Sequence, residues 1–164
     1  MSLNPVKLIK KEPVKKFEII EESPNLKIKI FGKSPREIFH NALYAMAYVQ
    51  SPSLIEPSTV DKLISAFRGK KLAEEIVIEG MDYQTLLIDF LEQALELSDE
   101  KNFLFFEPKF NEFSEQKLVG RLIGVKFENL ERPIKDINYE NIDVKQLLPP
   151  ISLAQLLLRL YFHS

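Results

Sequence analysis

Cysteine and tryptophan are both absent from the 164 residues. Without thiols the chain has no disulfide scaffold, no thiolate zinc or iron–sulfur centre and no cysteine nucleophile. Histidine occurs only as His40 and His163, too few to build a histidine-rich catalytic metal centre. The five glycines are dispersed and form no phosphate-cradling loop. Neither a Gly-x-Ser-x-Gly elbow nor a His-Glu-x-x-His helix occurs. An excess of charge of one sign is missing too: 22 Lys and Arg stand against 24 Asp and Glu. That balance excludes an overall basic body of the kind that coats nucleic acid. The longest unbroken apolar run, Ala42 to Val49, is eight residues, where a membrane helix needs ~20. Lys7, Lys10, Lys11, Lys15 and Lys16 crowd the start, but no hydrophobic stretch follows that would make a signal peptide. These absences point to a cytoplasmic protein.

What is present is the composition of a globular domain, 45% hydrophobic and 28% charged. A chain of this size buries roughly 70% of its unfolded surface, enough for a core without staples. Residues 1–15, interrupted by Pro5 and Pro13, read as an N-terminal extension, and 16–164 as a single domain. The lysines of the extension read as a solvated tail, with contact to an acidic partner or to RNA phosphates as the alternative. Phe17 and Ile19 alternate with Lys16 and Glu18; after the turn residues Ser23-Pro24-Asn25, Leu26, Ile28 and Ile30 alternate with Lys27 and Lys29. Both runs have the period of a half-buried strand.

Helices follow. Ser34 is placed to cap one, with Pro35 at its first position and Glu37 completing a capping box. Ile38, Phe39, Ala42, Leu43, Met46 and Val49 then form one apolar stripe. Residues 58–68 carry a shorter helical pattern through Val60, Leu63, Ile64 and Phe67. Ala73 to Glu79 reads as a strand. Asp82 caps a further helix that buries Leu86, Leu87, Phe90, Leu91, Ala94 and Leu95 and turns Asp89, Glu92, Gln93 and Glu96 away. Strand patterns cover Phe103–Phe106, Phe110–Phe113, Lys117–Phe127, Ile134–Tyr139 and Ile142–Leu147, and 152–162 fits either a helix or a closing strand. This order predicts an α+β domain, a mainly antiparallel sheet packed with two main helices.

Few residues suggest chemistry. His40 lies off the apolar stripe and reads as an exposed structural histidine with no acid to orient it. Glu21 with Glu22, Asp82 with Asp89, and Asp136 with Glu140 and Asp143 are carboxylate groupings that could offer oxygen to a hard cation, or simply form a solvated rim. Phe103, Phe105, Phe106, Phe110 and Phe113 are flanked by Glu100, Glu107, Glu112 and Glu115. Acidic flanks favour a core or partner-facing cluster over a base-stacking platform. No direct contact with nucleic acid is expected.

The order of the pieces resembles archease, the small protein that assists the tRNA-splicing RNA ligase. The family opens with a strand, a Glu-His-Thr-Ala-Asp turn, a strand ending in Gly and a helix rich in Glu, Ala and Phe. Here the stretch from Glu21 and Glu22 through Asn25 and Gly32 to Ala42 corresponds to it. Ile55-Glu56-Pro57 is similar to the family's Val-Glu-Pro. Leu87-Ile88-Asp89-Phe90-Leu91-Glu92-Gln93 resembles its Leu-Val-Asp-Trp-Leu-Asn-Glu helix, and Ile134 to Glu140 its Ile-Lys-Ala-Val-Thr-Tyr-His strand. Residues 58–72 are an insertion relative to the usual family length.

The resemblance implies a non-enzymatic protein that helps a ligase form its guanylylated intermediate through an acidic, calcium-binding site. The departures fall on that site. Glu22 and Asn25 stand where the signature turn has a His and a metal-binding Asp, and Glu140 replaces the third motif's His. Lys135 matches the family's functional lysine. The Asp that ends the family's last strand has no counterpart, because no Asp or Glu follows Asp143. Glu22, Asn25, Lys135 and Glu140 are thus the expected vestige of a family site without its metal ligands, and no cofactor is expected. The implied partner is a protein, an RNA ligase or another RNA-processing enzyme. The alternative is an archease fold retained as a metal-free interaction module.

Overall fold

The structure, a computed structural model, describes residues 16–22, 25–55, 72–143 and 154–162. The N-terminal extension, the helix expected over 58–68 and His163 lie outside the described residues. The elements run β1 (Phe17–Glu21), β2 (Leu26–Gly32), α1 (Pro35–Gln50), α2 (Pro52–Ile55), β3 (Leu72–Glu79), α3 (Tyr83–Lys101), β4 (Phe103–Phe113), β5 (Lys117–Lys126), β6 (Ile134–Asp143) and β7 (Ala154–Phe162). The α+β class with two main helices is as the sequence predicts. The strands divide between two sheets, ordered β1-β2-β7-β6 and β3-β5-β4, and the pairings are antiparallel.

Local chemistry sets the helix starts. The Ser34 hydroxyl accepts from the Glu37 N–H at 3.1 Å, with Pro35 in the first turn. The reciprocal capping box forms at Asp82, whose carboxylate accepts from the Thr85 N–H at 2.8 Å while the Thr85 hydroxyl accepts from the Asp82 N–H at 3.3 Å. Those bonds from Thr85 hold the Asp82 carboxyl below its usual range. At the other end of α3, Asn102 takes the left-handed conformation, φ 59°, and its N–H donates to the Ser98 carbonyl at 2.9 Å. Phe103 then starts β4 directly.

Helix α1 is buried on more than its predicted stripe, because Asn41, Ala45, Ala47 and Gln50 are buried as well. Near-complete burial is what a helix needs when it packs against both sheets, and α1 packs on β2 of one and β4 of the other. Helix α3 lies against β6, β4, β3 and β5. One core joins Leu26, Ile28 and Ile30 to Phe39, Leu43, Met46, Leu87, Phe90 and Leu91, with Leu95 packed at its border. The phenylalanines belong to this core and its neighbour. Phe105 and Phe106 are buried, Phe39 meets Phe113 at 4.9 Å and Phe90 at 5.5 Å, and Phe90 meets Phe110 at 5.8 Å.

Bulges explain where the strand patterns break. Ile134 and Ile137 are both buried although three residues apart, which strict alternation forbids. Lys135 and Asp136 are both exposed between them, and the register slips there against β7. Further slips between Tyr139 and Asn141 and along β4 let Phe103–Phe106 run on into Phe110–Phe113 and Ile134–Tyr139 run on to Asp143, while residues 144–147 of the last predicted strand lie outside the described residues. Pro108 is accommodated because β4 is an edge strand. Residues 154–162 settle as the closing strand, between β2 and β6. Gly120 is required by close approach, since a Cβ there would run into the Lys109 carbonyl oxygen.

Candidate functional site

The β2–β7–β6 register locates the four expected residues. Leu26 stands opposite Leu160, and Leu160 opposite Ile137. Asn25, half-buried just before β2, therefore lies at the same end of the sheet as exposed Lys135 and Asp136 of β6. Two strand spacings, roughly 10 Å, separate their backbones. Glu22 is exposed in the connection leading to Asn25. Glu140 sits further along, at the slip between the Ile28–Leu158–Tyr139 row and the Lys29–Leu157–Asn141 row. That offset is about 10–13 Å along the strand from Asn25. The fold thus gathers Glu22, Asn25 and Lys135 toward one sheet end and leaves Glu140 toward the middle.

Tertiary packing adds carboxylates that the sequence did not group. Helix α3 rests on β6, bringing Glu92 near Asp136 and its own neighbour Asp89. The Glu92 carboxyl is pushed up by partial burial first and by the Asp89 and Asp136 charges after it. The spacing of Asp89 and Glu92 along one helix face is visible in the sequence; their meeting with Asp136 is not. On the next row, Lys27 pairs with Glu21 at 3.9 Å, beside Arg159 of β7. Among the described residues, no group of three or more His, Asp or Glu is placed to hold a metal ion.

The start of β6 is fixed by a residue that sequence reasoning missed. Buried Gln50, at the end of α1, accepts from the Ile134 N–H through its side-chain oxygen at 3.1 Å. Its backbone carbonyl accepts from the Arg132 N–H at 3.0 Å. Its amide nitrogen donates to the Met46 carbonyl at 3.3 Å. Close by, the Ser53 hydroxyl donates to Glu131 at 2.8 Å, and the Arg132 guanidinium lies 4.1 Å from the Phe162 ring centre. Lys135 therefore leaves from a strand end clamped to α1. A glutamine at the end of an apolar helical stripe was the available signal.

His40 departs from the exposed structural histidine expected. It is half-buried against β4, because α1 packs there. Burial lowers its pKa first and the Lys16 charge adds to this, while Glu107 and Glu37 oppose both. Acids do stand near it, brought by β4 and by its own helix.

The model of the Archease protein family (MTH1598/TM1083) matches residues 17–149. The protein archease of Methanosarcina barkeri is 25% identical over 138 residues, covering 79% of this chain and 86% of that protein. The protein archease of Pyrococcus abyssi is 26% identical over 150 residues, covering 87% and 97%. The solution structure of Methanobacterium thermoautotrophicum protein 1598 superimposes with a TM-score of 0.54 at 21% identity, covering 89% of this chain and 98% of that one. At that identity the likeness concerns the fold.

Proposed function

The chain belongs to the archease family, and on that premise we propose that it is a non-enzymatic accessory protein of an RNA-processing enzyme, in the first place a tRNA-splicing RNA ligase in the cytoplasm. The observation that carries the reading is the family match over residues 17–149, which takes in both main helices and every strand but β7. In this reading the chain acts on its partner through protein contacts. Lys135, exposed at the bulge of β6, is the family position retained at the sheet end where Glu22 and Asn25 stand. Asn25 offers a neutral carbonyl oxygen, a weak ligand for a hard cation that needs carboxylate charge to offset dehydration. The activity is therefore independent of calcium.

A multiple-turnover RNA ligation assay with and without the chain tests this. The expected result is faster turnover, unchanged by calcium or by chelator and reduced in Lys135→Ala. Calorimetric titration of the metal-stripped chain is expected to give no calcium or manganese binding at about micromolar affinity or tighter. Micromolar binding that disappears in Glu22→Gln overturns the metal-free reading and points to a shifted ligand set. Absence of any stimulation leaves the second reading, an archease fold that serves as a metal-free protein-interaction module. Asn25 in place of a carboxylate favours that one.

A further inference from the structure

Strand β3 is an edge. In the order β3-β5-β4 it has a neighbour on one side only among the described residues. It is also regular: all of Leu72–Glu79 pairs with β5 without a slip, from Leu72 opposite Gly124 to Glu79 opposite Lys117. Edges of this length are usually blunted by charged side chains, bulges, prolines or a covering element; β3 has no bulge and no proline, and its exposed Glu75 and Glu79 admit only a strand of the opposite charge.

The backbone bonding pattern says which groups face the open side. The Gly80 N–H donates to the Gln116 carbonyl at 2.9 Å, one step beyond the Glu79–Lys117 pair. Directly opposed residues in an antiparallel pair alternate between bonded and non-bonded. Leu72, Glu74, Ile76 and Ile78 therefore bond to β5, and Ala73, Glu75, Val77 and Glu79 turn their N–H and C=O groups to the edge. Those four residues are also the exposed ones, while Ile76 and Ile78 are buried. Val77 is 61% exposed. It borders a groove of about 320 Å³ shared with Glu75, Val119, Asn111 and Arg121. On the same rows Arg121 stands opposite Glu75 and Lys117 opposite Glu79, so charge already alternates from β5 to β3.

We infer that the open edge of β3 receives an extended segment of a partner protein as a fourth strand, with Lys or Arg opposite Glu75 and Glu79 and an aliphatic residue opposite Val77. The new strand satisfies the outward backbone groups by strand addition. Its side chains land on the face that holds Glu75, Val77 and Glu79, because opposed residues share a face. Cations there continue the alternation that Arg121 and Lys117 begin. A second copy of this chain fits poorly. It brings three further glutamates and no lysine or arginine to the seam, and stacking Val77 on Val77 sets Glu75 against Glu79. The partner is thus a basic–aliphatic–basic strand of another protein, a contact that goes beyond the accessory reading and is tested without any ligase.

The probe is an acetylated and amidated peptide of about ten residues, strand length with short flanks, carrying Lys-Thr-Val-Thr-Lys at its centre. Binding is followed by fluorescence anisotropy, and amide exchange of the full chain by NMR. The expected result is saturable binding with slowed exchange at Ala73, Glu75, Val77 and Glu79, while Glu74, Ile76 and Ile78 stay as they were. Glu75→Lys with Glu79→Lys should weaken this peptide about tenfold and prefer the peptide with Glu in place of Lys. Val77→Pro removes an outward N–H and should abolish binding of both peptides; if it fails to fold, the charge exchange still decides. Equal binding of the Lys and Glu peptides, binding without protection at the four edge amides, or concentration-dependent protection of those amides in the chain alone would each overturn the inference.

Discussion

Phe90→Ala is the sharpest probe of the core. Phe90 is 0% exposed and its ring lies 5.5 Å from that of Phe39 and 5.8 Å from that of Phe110. It therefore joins α3 to both α1 and β4. Truncation removes the transfer free energy of the ring and leaves a void that neighbours on three elements cannot close together. Phe→Ala at such sites costs about 3–5 kcal/mol, and two aromatic neighbours place this one toward the upper end. For a chain of this size that lowers the melting temperature by about 10 °C. With five tyrosines and no tryptophan, urea unfolding is best followed by circular dichroism together with tyrosine fluorescence. The midpoint should fall with an unchanged slope. Phe90→Leu should cost roughly half as much, because it retains part of the volume. A loss below about 1 kcal/mol for Phe90→Ala would place the ring at the surface and refute the register assigned to α3.

Gln50→Ala deprives the buried Ile134 N–H of its acceptor and should cost about 1–3 kcal/mol. Amide exchange at Ile134 should speed up more than at Ile137, and equal change at both would show that the clamp is not local. His40 gives a pH dependence. Its folded pKa lies below the unfolded value of 6.5, so the unfolded chain takes up the proton first as pH falls. Its contribution is thus present above about pH 6.5 and lost as pH drops toward the lowered folded value. His40→Gln should flatten that part of a stability-against-pH curve, and an unchanged slope would place its source elsewhere.

Much of this protein is legible in local chemistry. The alternation of Leu26, Ile28 and Ile30 sets the inward face of β2. The helical stripe from Ile38 to Val49 sets the main face of α1, and Ser34 and Asp82 set where the two main helices begin. These features depend on residues a few positions apart, where backbone period and capping leave little choice. The same locality explains the misreadings. The alternation of β6 breaks after Tyr139 because a bulge changes the parity, and a bulge is stabilised by the partner strand β7. His40 looks exposed until β4 packs beside it. The Asn25–Lys135 sheet end exists only because β7 inserts between β2 and β6, and 152–162 alone fits a helix as well as a strand. Gln50 reads as the tail of an amphipathic helix, and its role appears only when a backbone amide 84 residues away needs an acceptor. Periodicity fixes which way a side chain faces within its own element. Which distant group it then meets follows from the packing of whole elements, and the edge position of β3 among the described residues, the approach of Glu92 to Asp136 and the clamp on β6 were all decided there.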